Sequence, residues 1–360
     1  MSFENKTAIL QFLKNNNWAN AKIVLLAQDA SSRNYYRLQQ SDKTAILMQA
    51  TSDADICPPA ATEQQRQQLG YTATARLAAN NCGAFICIAN ELSSRGFSAP
   101  RVLATDLQND LVLLEDLGEQ MFSGLLQQNP NQEPQLYQQA VSMLAALARA
   151  SFNPTAQTQH LQWPLLQYDL PALLAETDLL SDWYLPYVGV NVDDELKGQL
   201  RAAWVQVLQP LLQQPKVLVL RDFHADNLLW LADREHISNI GLLDFQDAVF
   251  GHPAYDLVSL LQDARRDVSP KLEQPLIDSF VEQAKLSNAE EFNSNYRVLG
   301  AQRAAKILGI FVRLAKRDKK QHYLKILPRV EKHFINNLAF AELQPIAKIL
   351  TPLLPNRSGK

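Results

Sequence analysis

Leu218-Val219-Leu220-Arg221-Asp222-Phe223-His224-Ala225-Asp226-Asn227-Leu228-Leu229-Trp230, followed by Gly241-Leu242-Leu243-Asp244-Phe245, decides how this chain is to be read. An apolar strand delivers Asp222 into a loop. Asn227 follows five residues on, and a second apolar strand begins. One hairpin later a further strand ends at Asp244. The pattern predicts three oxygen-bearing side chains at the mouth of one small sheet. Phosphoryl transfer from ATP needs such a set: one carboxylate to orient and deprotonate an acceptor hydroxyl, an amide and a second carboxylate to hold Mg²⁺ against the phosphates. Taken singly, Asp and Asn between apolar runs are turn residues. Two strand–loop units in the right order favour chemistry over turns. His224 and Asp226 suggest a metal pair, but no second His or Cys stands nearby at ligand spacing, so His224 reads as a loop-packing residue.

Composition narrows the class. The chain has 360 residues, 47% of them hydrophobic and 20% charged, as in ordinary globular proteins. A net charge of −3 argues against nucleic acid as the main partner. No run is long and apolar enough for a membrane span or a signal peptide, so no membrane partner is expected. Cys57, Cys82 and Cys87 form no C-x-x-C, which points to a reduced, cytoplasmic setting.

Outward from the motif, residues 1–20 read as an amphipathic helix. Tyr35–Leu38 and Thr44–Gln49 read as a hairpin after the polar turn 29–34. Residues 61–80 and Ala84–Ser94 read as helices, and Pro100–Leu103 and Leu111–Leu114 as strands. After Glu115-Asp116-Leu117-Gly118 long helical stretches dominate: Leu136–Ala150, Tyr168–Tyr187, Glu195–Leu212 and Val298–Arg317. The expectation is an α+β, bilobal chain: a small β-rich lobe over 1–114, a connector at 115–118, and a larger, mostly helical lobe over 119–360. The basic run Arg313, Lys316, Arg317, Lys319, Lys320 reads as an answer to a helix macrodipole.

The motifs also approach the kinase signature H-R-D-L-x-x-x-N and D-F-G: here they read Leu-Arg-Asp with Asn five on, and Asp-Phe-Gln. Together with Asp29–Arg37, Leu113–Gly118, Leu243–Ala248 and Tyr255–Leu260, they make the chain resemble the aminoglycoside phosphotransferase and choline kinase superfamily, with its protein-kinase-like fold. Asp-Phe-Gln-Asp-Ala, Trp183–Pro186, Gln302-Arg303 through Phe311, Tyr323-Leu324 and Pro328-Arg329 make it most similar to the kinases that phosphorylate the anomeric hydroxyl of N-acetylmuramate and N-acetylglucosamine. The resemblance implies Asp222 as catalytic base and Asn227 and Asp244 as Mg²⁺ ligands. It implies Glu115 and Leu117 at the adenine-binding connector, and Ser31, Ser32 and Arg33 on the loop over the phosphates of ATP.

Two departures matter. Met48 stands where V-A-I-K would place the phosphate-binding Lys. Arg33, or else Arg37, is expected to supply that charge, while Arg221 braces the loop. The covering segment 29–37 contains no glycine. Acceptor specificity is expected around 168–190, where Glu176, Asp178, Trp183 and Tyr184 could face a small-molecule, sugar-like acceptor; the competing reading packs Trp183 and Tyr184 into the core. An aminoglycoside, choline-like or protein acceptor, or a degenerate nucleotide-binding module, stays open.

Overall fold

The computed structural model describes residues 6–26, 33–50, 57–58, 60–75 and 81–354. Helix α1 (Lys6–Asn15) leads into β1 (Lys22–Leu25), β2 (Asn34–Gln40) and β3 (Lys43–Gln49). Helices α2 (Glu63–Leu69), α3 (Tyr71–Ala75) and α4 (Cys82–Ser93) precede β4 (Val102–Asp106) and β5 (Leu111–Leu114). The five strands form one antiparallel sheet in the order β1-β2-β3-β5-β4. Strand β1 was not anticipated.

Alternation along each strand sends successive side chains to opposite faces. Ala45, Leu47, Leu111 and Leu113 meet Ile9, Phe12 and Leu13 of α1. Met48, Val112 and Leu114 face the other way, into the core that holds Phe85 and Ile88 of α4 and continues into the helical part. The helix expected over 61–80 is broken at Gly70, whose φ of 94° is open to glycine at little cost. Its two pieces, counted in sequence with the first lobe, pack against the helical part: Arg66 of α2 pairs with Asp169, and α3 lies on the helix that Asp169 caps.

Beyond the connector come α5 (Phe122–Gln128), α6 (Glu133–Arg149), the hairpin β6 (Thr155–Gln157) and β7 (Gln162–Pro164), α7 (Leu170–Leu179), α8 (Leu185–Tyr187) and α9 (Asp194–Leu208). The expected helix over 168–187 is therefore not uniform. It widens into a π turn at Leu180–Tyr184. Pro186 explains this, since it has no N–H to give the preceding turn and its ring crowds the carbonyl there.

Four short strands follow: β8 (Val217–Val219), β9 (Leu228–Trp230), β10 (Ile240–Leu242) and β11 (Val249–Gly251). They form two ribbons, β8 with β11 and β9 with β10, so the single small sheet expected from sequence is replaced by two. Helices α10 (Ala254–Leu261), α11 (Pro270–Gln283), α12 (Ala289–Lys316), α13 (Leu327–Leu338) and α14 (Gln344–Leu350) complete the chain. Helix α12 begins nine residues before the expected Val298. It crosses the end of α7 in backbone contact: a Cβ on Gly309 would fall 2.3 Å from the Leu179 carbonyl oxygen. Among the described residues no helix is long and apolar enough to cross a membrane.

Candidate active site

The loop after β8 is tied down from three sides. The backbone N–H groups of Leu220 and Arg221 donate to the Asp256 carboxylate at the start of α10, at 2.7 and 2.8 Å. The Asn227 amide donates to the Asp222 carbonyl at 2.9 Å, and Leu243 N–H donates to the Asn227 carbonyl at 3.0 Å. Asp222, Asn227 and the segment that leads from β10 to Asp244 are thus bonded into one unit. Arg221 and Asp244 both take positive φ, 73° and 54°. Non-glycine residues occupy that region at a cost, and its use at both acidic loops marks them as constrained.

Gln246 donates to Asp244 Oδ1 at 2.7 Å. Phe245 is fully buried and stacks on Phe85 of α4 with ring centres 4.9 Å apart, fixing the loop to the first lobe. Burial, with the Asp222 carboxylate acting in the same direction, pushes the Asp244 carboxyl up to about 6. At Asp222 burial acts the same way but is overridden: the Arg303 guanidinium, backed by Lys306, His224 and Arg221, holds it at about 2. The carboxylates keep 40% and 44% of their surface open, so both face the cleft.

Arg33 enters from the first lobe and is buried, with Nη1 3.7 Å from Asp244 Oδ1. Ser31 and Ser32 lie outside the described residues. Arg37 goes elsewhere: it pairs with Asp116 and Glu119 and donates to the Gly118 carbonyl at 2.9 Å, clamping β2 to the connector. The expectation that Arg37 could replace Arg33 is therefore corrected; Asp116 and Glu119 hold it at the connector. Met48 is fully buried, paired across the sheet with Tyr35.

The Glu115 carboxylate bonds Arg101 and, at 2.8 Å, Arg234 from the loop after β9, which itself donates to the Ser98 hydroxyl at 2.8 Å. That side chain clamps the two lobes together. Leu117 is half-buried beside Gly241. His224 packs as expected, with Nε2 3.0 Å from Arg265.

Of the four residues considered for the acceptor, two are placed in the core. Glu176 has no exposed surface. It pairs with Arg221 at 2.6 Å and Lys306 at 2.8 Å, and accepts from Tyr168 and Gln302. Tyr184 is buried and donates to Glu331 at 2.9 Å. The Glu176 expectation is corrected, because a buried charge requires partners and these close off any acceptor; for Tyr184 the competing core reading holds. Asp178 and Trp183 do border a cleft of about 560 Å³ with Tyr71, Arg201 and Arg313. Asp222 lies outside its lining, and Asp178 is paired with Arg201 at 2.5 Å. The basic end of α12 divides its roles: Arg313 lies over the Tyr71 ring, Lys316 over Tyr187, and Lys319 donates to the Lys316 carbonyl.

Arg303, Lys306, Gln246 and Asp256 had no assigned role from sequence. The signal for the first two was present: charged residues one turn apart amid the alanines of an otherwise apolar helix face.

A profile of the phosphotransferase enzyme family matches residues 22–289. The chain is 36% identical to the N-acetylmuramate/N-acetylglucosamine kinase of Caulobacter vibrioides, across 92% of this chain and 91% of that protein. It is 29% identical to the protein of the same name from Pseudomonas aeruginosa, across 92% and 89%. Among solved structures, the choline kinase of Streptococcus pneumoniae superposes with a TM-score of 0.58 at 10% identity, covering 93% of this chain and all (100%) of that one. An ADP-bound aminoglycoside phosphotransferase superposes at 0.54 with 14% identity, covering 93% and 100%.

Proposed function

The chain belongs to the phosphotransferase enzyme family, and from that premise we propose that it moves the γ-phosphoryl group of ATP to the anomeric hydroxyl of an N-acetylated amino sugar, N-acetylmuramate or N-acetylglucosamine. The observation that carries the chemistry is the bonded unit of Asp222, Asn227 and Asp244, met by Arg33 from the opposite lobe. The acceptor is argued from relatives named for these two sugars that match most of the chain.

In this reading Asp222 accepts the hydrogen bond of the attacking hydroxyl and aligns its oxygen with the phosphorus. A carboxyl held at about 2 is a weak base, so orientation is its first task and the proton leaves late. An anomeric hydroxyl, more acidic than an ordinary alcohol, suits such a base. The amide oxygen of Asn227 and the Asp244 carboxylate are hard oxygen donors suited to Mg²⁺, and burial beside the Asp222 carboxylate, which raises Asp244, is what a cation would offset. When bound, the ion would neutralise phosphate charge. Backbone groups of Glu115 and Leu117 would meet adenine, and the cytoplasm, where ATP is plentiful, is the expected setting.

Arg33 would supply the cation that Met48 cannot. Arg33→Ala should raise KM for ATP about tenfold or more, in line with loss of a charge-assisted hydrogen bond. Lys43→Ala, at an exposed strand end, should leave KM unchanged. Steady-state kinetics with ATP varied will decide, and equal indifference to both changes would remove Arg33 from the phosphate site.

The acceptor is tested by offering ATP with N-acetylmuramate, N-acetylglucosamine, choline and an aminoglycoside. The expected product is an acid-labile sugar 1-phosphate. Turnover confined to choline or the aminoglycoside, or silence with all four, would overturn the acceptor.

A further inference from the structure

Helix α12 runs beneath the catalytic loop and carries three polar residues, Gln302, Arg303 and Lys306, on buried surface. Arg303 is 5% exposed. Its Nη1 donates to the Arg221 carbonyl at 3.1 Å and lies 3.4 Å from the Tyr255 hydroxyl. Its Nη2 lies 3.7 Å from Asp222 Oδ1. The Tyr255 ring supports the guanidinium from one face, 5.4 Å from its carbon. One planar group therefore hydrogen-bonds the backbone just before Asp222 with one nitrogen and forms an ion pair with the Asp222 carboxylate through the other.

The backbone it touches is the strained one. Arg221 holds a φ of 73°, secured on its N–H side by Asp256 and on its carbonyl side by Arg303. Arg303 cannot drift, because Lys306 one turn on is pinned 2.8 Å from Glu176 and 3.3 Å from the Tyr255 hydroxyl. Glu176 in turn grips the Arg221 side chain at 2.6 Å. Everything in this cluster converges on the residue that delivers Asp222.

We infer that Arg303 is a positioning residue for phosphoryl transfer: its guanidinium fork locks the Asp222 carboxylate to the strained loop, so that the second carboxylate oxygen is aimed at the acceptor hydroxyl. The inference rests on the phosphotransferase reading above. The family profile ends at residue 289, where α12 begins, so this support comes from a helix outside the matched region. The fork is essential to the argument. Two contacts in fixed directions suit a guanidinium, and an ammonium is a point charge that cannot reproduce them.

A merely structural arginine would lower activity in proportion to lost folded protein, whatever residue stands at 222. A positioning residue acts through Asp222, so its effect disappears when Asp222 cannot act. The test is a double-mutant cycle on the full chain, with thermal melting of every variant. Arg303→Met should lower kcat about 10–100-fold while KM for ATP stays within about threefold. In the Asp222→Asn background the same change should cost less than about threefold. Arg303→Lys should recover part of the loss, not all. Equal fold losses in both backgrounds, or wild-type kcat in the Met variant, would overturn the inference. If Arg303→Met does not fold, Arg303→Lys carries the cycle, with a loss of about 5–20-fold expected and wild-type kcat overturning the idea. The cycle is measured with N-acetylglucosamine as acceptor and again with water, as ATP hydrolysis. A wild type silent on the sugar but showing the coupling on water supports Arg303 and overturns the acceptor. Full sugar turnover with additive losses overturns Arg303 and leaves the acceptor standing.

Discussion

Asp222→Asn should lower turnover by about 10²–10⁴-fold, the range of a general-base contribution, while ATP binding and folding persist. The replacement is isosteric, and apart from the ion pair with Arg303 the contacts that shape the loop do not involve the Asp222 carboxylate. Asp256 holds the two N–H groups before it, and Asn227 bonds its carbonyl. What is lost is the negative charge that faces both Arg303 and the incoming hydroxyl. The size of the loss separates two roles. If orientation dominates, as a carboxyl held at about 2 suggests, the amide oxygen still accepts a hydrogen bond and the loss falls at the lower end of that range. If proton removal dominates, it falls at the upper end. Turnover near wild type would exclude Asp222 from the chemistry. Unchanged KM for ATP beside a collapsed kcat would place the defect in the transfer step.

The two acidic loops were legible as strand–loop units because their information is local. Strand–Asp–x–x–x–x–Asn–strand needs no partner from elsewhere to be read, and the apolar run Ala45 to Met48 reads as a strand, which the structure buries on both faces. The positive φ of Arg221 and Asp244 was not legible. No glycine marks either position, since tertiary bonds from Asp256, Arg303 and Gln246 enforce what glycine would have allowed. Nor could local pattern separate Arg33 from Arg37. They lie four residues apart on one segment, and only the connector's Asp116 and Glu119 draw Arg37 away from the cleft.

Glu176 shows the same limit more sharply. A glutamate on a helix close to Asp178, Trp183 and Tyr184 reads as a group facing an acceptor. Its cationic partners stand 45 and more residues away, on a loop and on α12. Once they are in place, burial ceases to be anomalous, and the carboxylate becomes the counter-charge for two cations that would otherwise be stranded under the catalytic loop.

That burial sets the largest stability effect expected in this chain. Glu176→Gln should destabilise the fold by about 3–5 kcal/mol, the cost of breaking a buried ion pair from one side, because Lys306 and Arg221 remain buried and charged. The melting temperature should fall on the order of 5–10 °C. Adding Lys306→Met should return part of the loss, since it removes one uncompensated cation. The pH dependence follows from sign. Burial pushes the Glu176 carboxyl up, but Lys306 and Arg221 outweigh it and hold it below the ordinary carboxylate value. A carboxyl lowered in the folded state stabilises above its unfolded value, roughly 4.3, and that contribution is lost as pH falls towards the folded one. The gap in melting temperature between wild type and Glu176→Gln should therefore be full at neutral pH and close as the solution is taken below about pH 4. Were Glu176 instead an acceptor-binding carboxylate, the variant would melt like wild type and show a raised KM for the sugar alone. Thermal melting across pH 3–8 beside sugar kinetics at neutral pH distinguishes the two.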